Sequence, residues 1–297
     1  MAVTDGMQTQ SLDTAGGPVH VEPSLTIAAS PPRLPRWLRI ALMGALFLLF
    51  FCGAPVITFV IFPLLWLTSK SPEDHRRRCT RLLHHGERQF ARAARFVGLV
   101  DFVISAPPSV DLARPYVMIS NHPSYVDMIL VLGAFENLTC MTKGSWSRHW
   151  ALGPLLRATN YLPGPGSGLR QSEQMLDSMV AHLRAGHPLL IFPEGQRSMK
   201  DQLRRFRRGA VEAAVRATVP IVPLYLAMDR PYLTKSVPIW RAPDRAPKYT
   251  FEWFDVIHPE EFGHDGKRIQ DHVDAMYAAR FERQRVAYRE LAETSGD

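Results

Sequence analysis

Between Ile40 and Leu67 stand 28 consecutive residues without a charged side chain, dense in Leu, Ile, Phe and Val. A run of that kind is taken out of water either in lipid or in a protein core. As a straight helix it would extend about 42 Å, against a hydrocarbon thickness of about 30 Å. Gly53 and Pro55 fall near its middle and Pro63 near its end, and proline removes a backbone donor and kinks or breaks a helix. In lipid two arrangements stay open: a single tilted span, or a hairpin whose halves, each too short to cross, dip into one leaflet. Arg33, Arg36 and Arg39 precede the run, and Lys70, Arg76, Arg77, Arg78 and Arg81 follow it. Positive residues mark the cytoplasmic side, so basic flanks at both ends favour the hairpin. Trp37 and Trp66 sit where interfacial aromatics belong. A buried helix of a soluble protein is the competing reading.

The remainder of the 297 residues divides around this run. Residues 1–35, rich in Ser, Thr, Gly and Pro without an apolar period, read as a disordered tail; 36–70 form the membrane-embedded segment. Residues 71–297 read as an α/β domain ending in an amphipathic helix. From Pro72 to Val100 a helical pattern carries many arginines and the pair His84-His85, expected on a solvated basic face. Beyond it, apolar strand runs at Tyr116–Ser120, Pro188–Phe192 and Val219–Leu226 alternate with helical stretches at 123–135, 172–185, 209–217 and 269–291. That order predicts a central, mainly parallel sheet flanked by helices.

Net charge is +7. The surplus calls for anionic partners: nucleic acid, phospholipid head groups or a phosphorylated substrate. No helix-turn-helix, zinc-finger or RNP signature is present, so nucleic acid is not expected. Cys52, Cys79 and Cys140 are odd in number and far apart, which supports neither a disulfide framework nor a zinc ribbon.

Two strand ends carry chemistry. Asn121-His122-Pro123-Ser124-Tyr125-Val126-Asp127 follows the first strand directly, placing His122 at the carboxyl edge where ligands of open α/β sheets collect. Asp127, about one turn on, is near enough to hold one ring nitrogen and leave the other as a general base. Phe192-Pro193-Glu194-Gly195-Gln196-Arg197-Ser198 follows another strand, and six basic residues lie between 197 and 208. Arginine forks there suit phosphate oxygens. Gly164, Gly166 and Gly168 are interleaved with Pro163 and Pro165 and read as a turn, not a phosphate loop. There is no G-x-S-x-G elbow, and Cys140 sits in an apolar context that suits burial.

The ordered pair Asn-His-x-x-x-x-Asp and Phe-Pro-Glu-Gly-x-Arg-Ser resembles the lysophospholipid acyltransferase superfamily, typified by 1-acylglycerol-3-phosphate acyltransferases. Phe206-Arg207-Arg208-Gly209-Ala210 and Val219-Pro220-Ile221-Val222-Pro223 are similar to later segments of the same family, so the resemblance covers about residues 96–226. It implies transfer of a fatty acyl group from acyl-CoA or acyl-carrier protein to a lipid hydroxyl, with no cofactor beyond that co-substrate and no metal. His122 would be the base and Asp127 its orienting partner. Asn121, Glu194, Gly195, Arg197, Ser198 and Arg208 would bind substrate, Arg197 as the main phosphate contact. A membrane-docking helical pair at the amino terminus, and a site facing the cytoplasm at a bacterial inner membrane, are further expectations.

Two departures bear on the acceptor. Gln196 replaces the family's threonine. The arginine that glycerophosphate enzymes carry between the two blocks is missing from Asn160-Tyr161-Leu162-Pro163-Gly164-Pro165-Gly166, with Arg170 as a displaced substitute. Lysophosphatidate is the leading acceptor, and lyso-ornithine lipids and polyene pigments compete. A non-catalytic protein holding anionic lipid is the alternative from another class.

Overall fold

The computed structural model describes residues 34–295 except 106–109, 136, 165–168, 199–201 and 244. The amino-terminal tail and the Pro165–Gly168 part of the glycine-proline turn lie outside the described residues. Helix α1 (Arg36–Val56) passes through a π-helical turn at Ile57–Ile61 into α2 (Phe62–Leu67). The 32 residues are long and apolar enough, by length and composition, to cross a membrane.

The run does not turn back on itself at its middle, as the hairpin reading has it. Pro55 lies inside α1 and the ladder shifts register just after it, while Pro63 occupies the first turn of α2, where no amide is needed. A register shift absorbs the missing donors without reversing the chain. Reversal comes at 68–71, outside the apolar run. There the Ser71 hydroxyl accepts from the Asp74 amide (3.1 Å), with Pro72, Glu73 and Asp74 in the first turn of α3 (Pro72–Phe96). The helical pair is therefore the apolar helix with the basic helix α3.

One side of the apolar helix faces the domain and the other is bare. Met43, Ala54 and Phe62 are buried, while Leu48, Val56, Val60, Leu64 and Leu67 are exposed. Contact with the domain runs along most of its length. The Arg39 guanidinium donates to the Pro243 carbonyl, Thr58 donates to the Ala151 carbonyl (3.2 Å), and the Phe59 and Trp150 rings stack at 5.9 Å.

Seven strands follow: β1 (Asp101–Ile104), β2 (Val117–Ser120), β3 (Thr139–Thr142), β4 (Leu162–Pro163), β5 (Leu189–Ile191), β6 (Ile221–Met228) and β7 (Lys248–Trp253). Helices α4 (Asp127–Ala134), α5 (Leu152–Arg157), α6 (Leu169–Arg184), α7 (Gly209–Ala217) and α8 (Gly266–Ser295) complete the chain. The sheet order is β1-β7-β6-β2-β5-β3-β4, with only the β6–β7 pair antiparallel. Strand alternation sorts side chains to two cores. Met118, Leu190, Val222 and Leu224 meet α3 and α4; Val117, Ile119, Leu189 and Tyr225 meet α6, α7 and α8.

Helix α3 corrects one expectation. His84 is buried, not solvated: its Nε2 accepts from the Arg88 guanidinium (2.9 Å), and burial lowers its pKa to about 4. The cause is close packing on α4, where a Cβ on Gly133 would stand 3.0 Å from the Arg88 backbone nitrogen. His85 stays exposed.

Candidate active site

Strands β2, β5 and β6 run parallel and adjacent, so their carboxyl ends share one edge of the sheet. The chain leaving β2 does not enter α4 at Pro123. It first makes a tight turn over 121–126, and Asp127 becomes the first residue of the helix. That turn is stitched by the Asp127 carboxylate, which is wholly buried. One oxygen accepts from His122 Nδ1 (3.0 Å) and from the Ser124 amide (2.7 Å), and the other accepts from the Ser124 hydroxyl. Ser124 in turn accepts from Tyr249 Oη (3.0 Å), reaching across from β7.

Because an ionised carboxylate only accepts, the proton lies on Nδ1 and Nε2 keeps its lone pair. Among the described residues nothing hydrogen-bonds Nε2. The imidazole is stacked on Phe192 (centroids 4.4 Å, 24°) and its side chain is 22% exposed, so one edge is open to a substrate.

The second turn locks onto the first. Glu194 is buried, and its carboxylate accepts from the His122 amide (3.1 Å), the Ser198 hydroxyl (2.5 Å) and the Arg204 amide (3.4 Å). Burial raises its pKa and these bonds oppose the rise. Ser198 N–H also donates to the His122 carbonyl (2.7 Å). The side chains of Glu194 and Ser198, expected on the substrate, therefore bond each other, and the Glu194 carboxylate and the Ser198 amide hold the histidine's backbone. Asn121 is likewise turned in: its amide group donates to the Leu226 carbonyl (3.0 Å) and accepts from the Leu226 amide (2.7 Å), fixing β2 to β6.

Arg197 is placed differently. Its guanidinium lies over the Tyr125 ring, 3.5 Å from the centroid, and Nη1 is buried with no hydrogen-bond partner among the described residues. A buried, unpaired guanidinium nitrogen beside the histidine turn is suited to an anionic group. Gly195 has φ +68°, and the Arg207 side chain passes where a Cβ would be, 3.0 Å from its guanidinium carbon. Arg208 is exposed at the start of α7, with Asp274 of α8 in its field, and among the described residues makes no hydrogen bond to either turn. Arg170 is exposed in the first turn of α6 and joins none of these contacts.

Ser124 and Tyr249 are the site residues that the sequence reading missed. Ser124 lies inside the first motif and could have been suspected as an Asp127 partner; Tyr249 carries no local signal. Cys140 is buried and its thiol pKa is pushed well up, which suits packing and not nucleophilic attack. Among the described residues no group of three or more His, Cys, Asp or Glu could hold a metal ion. Between the helical pair and the sheet lies an apolar cavity of about 370 Å³, lined among others by Leu46, Phe50, Leu83, Phe90, Leu155 and Met128. Met128 follows Asp127 in α4, so this cavity reaches the helix that carries the histidine's partner.

The family model described as Acyltransferase matches residues 84–227. A Mycoplasma pneumoniae protein named "Probable 1-acyl-sn-glycerol-3-phosphate acyltransferase" is 27% identical over 203 residues, covering 63% of this chain and 76% of that one. The human 1-acyl-sn-glycerol-3-phosphate acyltransferase beta is 32% identical over 171 residues, 52% of this chain and 60% of its own length. A lyso-ornithine lipid O-acyltransferase of Pseudomonas aeruginosa is 32% identical over 132 residues, 44% of this chain and 48% of its own. The chain thus spans between about half and three quarters of the length of these relatives. The fold is shared with the crystal structure of the 1-acyl-sn-glycerophosphate acyltransferase PlsC from Thermotoga maritima, at TM-score 0.61 and 20% identity over 84% of this chain and 97% of that one. With both motifs at one sheet edge and the family model matching over residues 84–227, that stretch is an acyltransferase domain, similar to those of the lysophospholipid acyltransferase superfamily.

Proposed function

We propose that the protein transfers a fatty acyl group from acyl-CoA or acyl-carrier protein to the free hydroxyl of a lysolipid, lysophosphatidate first, at a membrane surface. The observation that carries this reading is the His122–Asp127 pair, with Nδ1 held at 3.0 Å and Nε2 without a partner among the described residues, in a turn whose Tyr125 ring carries the Arg197 guanidinium. The acceptor hydroxyl gives its proton to Nε2 as its oxygen attacks the thioester carbonyl. Asp127 stabilises the imidazolium. Collapse of the tetrahedral intermediate breaks the carbon–sulfur bond, and the proton on Nε2 passes to the departing thiolate. No acyl-enzyme is required.

Arg197 takes the acceptor's phosphate, and the apolar cavity takes the donor's acyl chain. The exposed apolar side of α1 and α2 enters the lipid while the opposite side stays on the domain, an arrangement that favours lying in one leaflet over standing across it. The arginine-rich flanks suit the anionic cytoplasmic surface of a bacterial inner membrane. A second acceptor is supported by one observation. Asn160–Gly164 holds no basic side chain, and Tyr161 there is turned into the core, which suits a lysolipid without a phosphate monoester, such as a lyso-ornithine lipid.

The test is an acceptor panel of lysophosphatidate, other lysophospholipids and lyso-ornithine lipid with acyl-CoA and acyl-carrier protein donors, read by mass spectrometry on wild type and His122→Ala. Transfer to one acceptor, lost in the variant, supports the reading. Equal turnover by the variant overturns the mechanism, and vesicle binding without turnover on any acceptor would make the chain a lipid-binding protein.

A further inference from the structure

Tryptophan has a large apolar side chain and is on average highly buried. Of the six tryptophans here, Trp37, Trp66, Trp150 and Trp240 are each between 53% and 70% exposed, while Trp146 and Trp253 are half-buried. Trp37 and Trp66 stand near the two ends of the apolar helix. The other two exposed indoles belong to the α/β domain, and both loops that carry them are set against that helix. Trp150, which follows the turn Trp146–Arg148, stacks on Phe59 with the rings 6° from parallel, and the neighbouring Val56 and Val60 are exposed. Trp240, in the turn Ile239–Arg241, accepts at its carbonyl from the Arg36 guanidinium (3.4 Å), one residue before Trp37. Single exposed apolar residues need no explanation. Four indoles gathered on one bare helix do.

Indoles suit the boundary between hydrocarbon and head groups, where the ring body is apolar and the N–H stays wet. The rim of this face carries Arg36, Lys70, Arg148 and Arg241, all exposed, a charge complementary to acidic phospholipid. A second copy docking by the same face would set those like charges against each other. The two domain contacts, at Arg36 and at Phe59, lie about 35 Å apart along the helical run. A helix standing across a core of about 30 Å would put these loops at opposite faces of the membrane, or carry one of them with its arginine through the core. Laid in the plane, the helix brings both loops to one interface. We propose that the α/β domain is itself a membrane-docking element: the Trp150 and Trp240 loops enter the head-group layer of an anionic leaflet together with the bare side of α1 and α2, and the apolar helix does not cross. The inference rests on the reading that this helix enters lipid.

The experiment uses the full chain and vesicles of phosphatidylglycerol and phosphatidylethanolamine. Cys52 is exposed on the helix while Cys79 and Cys140 are buried, so a thiol-reactive fluorophore reports on Cys52 without any substitution. Trp150→Cys and Trp240→Cys, each in a Cys52→Ser background and checked for folding by circular dichroism, carry the same label on the loops. On vesicle binding all three labels should be shielded from aqueous iodide, and quenched more by lipids with a nitroxide near the head group than by lipids with one at the chain end. Loop labels as open to iodide with vesicles as without overturn the docking of the domain, and a Cys52 label quenched most at the bilayer centre overturns the in-plane helix. Trp150→Ser combined with Trp240→Ser should weaken vesicle binding by at least about 10-fold, and phosphatidylcholine vesicles should be bound less tightly than anionic ones. Unchanged binding on either count overturns the proposal, as does a dimer, seen by light scattering and dissolved in the double variant, that takes up no vesicles. Turnover of detergent-dispersed substrates separates the two readings. Docking as described without turnover of any acceptor defeats the acyltransferase reading alone; turnover with the loop labels left in water defeats only the docking of the domain.

Discussion

Asp127 and Glu87 are both buried carboxyls, one on α4 and one on the neighbouring α3, yet their surroundings differ in kind. Asp127 accepts from three donors, two from Ser124 and one from His122, and the serine is itself held by Tyr249. Glu87 has the Tyr161 hydroxyl and otherwise hydrocarbon. The first environment supports a negative charge that can orient an imidazole. The second pushes the group to keep its proton and become a donor. Burial alone therefore says little about what a carboxyl does; the number of donors aimed at it decides.

The comparison is most sharply broken at the histidine. His122→Ala should lower kcat by about 10²–10⁴-fold with the fold intact, since it removes the base and leaves the Glu194 contacts to the backbone in place. Steady-state kinetics on a folded variant decides it. Asp127→Asn comes next, with a large fall in kcat and little change in acceptor KM, because the amide can donate as well as accept and no longer fixes the Nδ1 proton. Arg197→Ala should act on binding: about a 10-fold rise in KM for a phosphate-bearing acceptor, with the donor KM unmoved, as read in two-substrate kinetics.

The other carboxyl predicts a pH effect. Its folded pKa lies above its ordinary value, so the folded protein binds the proton more tightly; the contribution is complete below about pH 4.5 and is lost as pH rises through about 8. Urea midpoints should fall across that window in wild type and fall less in Glu87→Gln, which cannot ionise. Parallel pH profiles in the two proteins would remove the distinction between the environments. The smallest effect belongs to Tyr249→Phe. It removes one bond at one remove from Asp127 and should cost about 1 kcal/mol of stability with a few-fold loss of kcat.

Legibility follows the same division. The His122 and Glu194 turns are contiguous stretches after strong apolar strands, so order and spacing were enough to place them at one sheet edge. What each side chain there does was not legible. Glu194 and Asn121 look like substrate contacts in the motif, and only the fold shows them spent on the His122 amide and on Leu226. Strand β7 was missed because its run, Lys248–Trp253, mixes charge and aromatic residues and gains its place by pairing between β1 and β6. The apolar run misled in a related way. Its prolines argue locally for a break, but a register shift satisfies the backbone while packing on α3 and α5 keeps the helix in one piece.

By itself the sequence determined the layered α/β class, the two chemical turns and the apolar helix, because periodicity and contiguous motifs are local properties that burial and backbone geometry enforce within a few residues. The tertiary structure decided which polar groups meet. Tyr161 reaches Glu87 across 74 residues of chain and Tyr249 reaches Ser124 across 125. Hydrogen bonds act over about 3 Å, and which distant donor arrives within that range depends on how the layers close, not on anything written beside the acceptor.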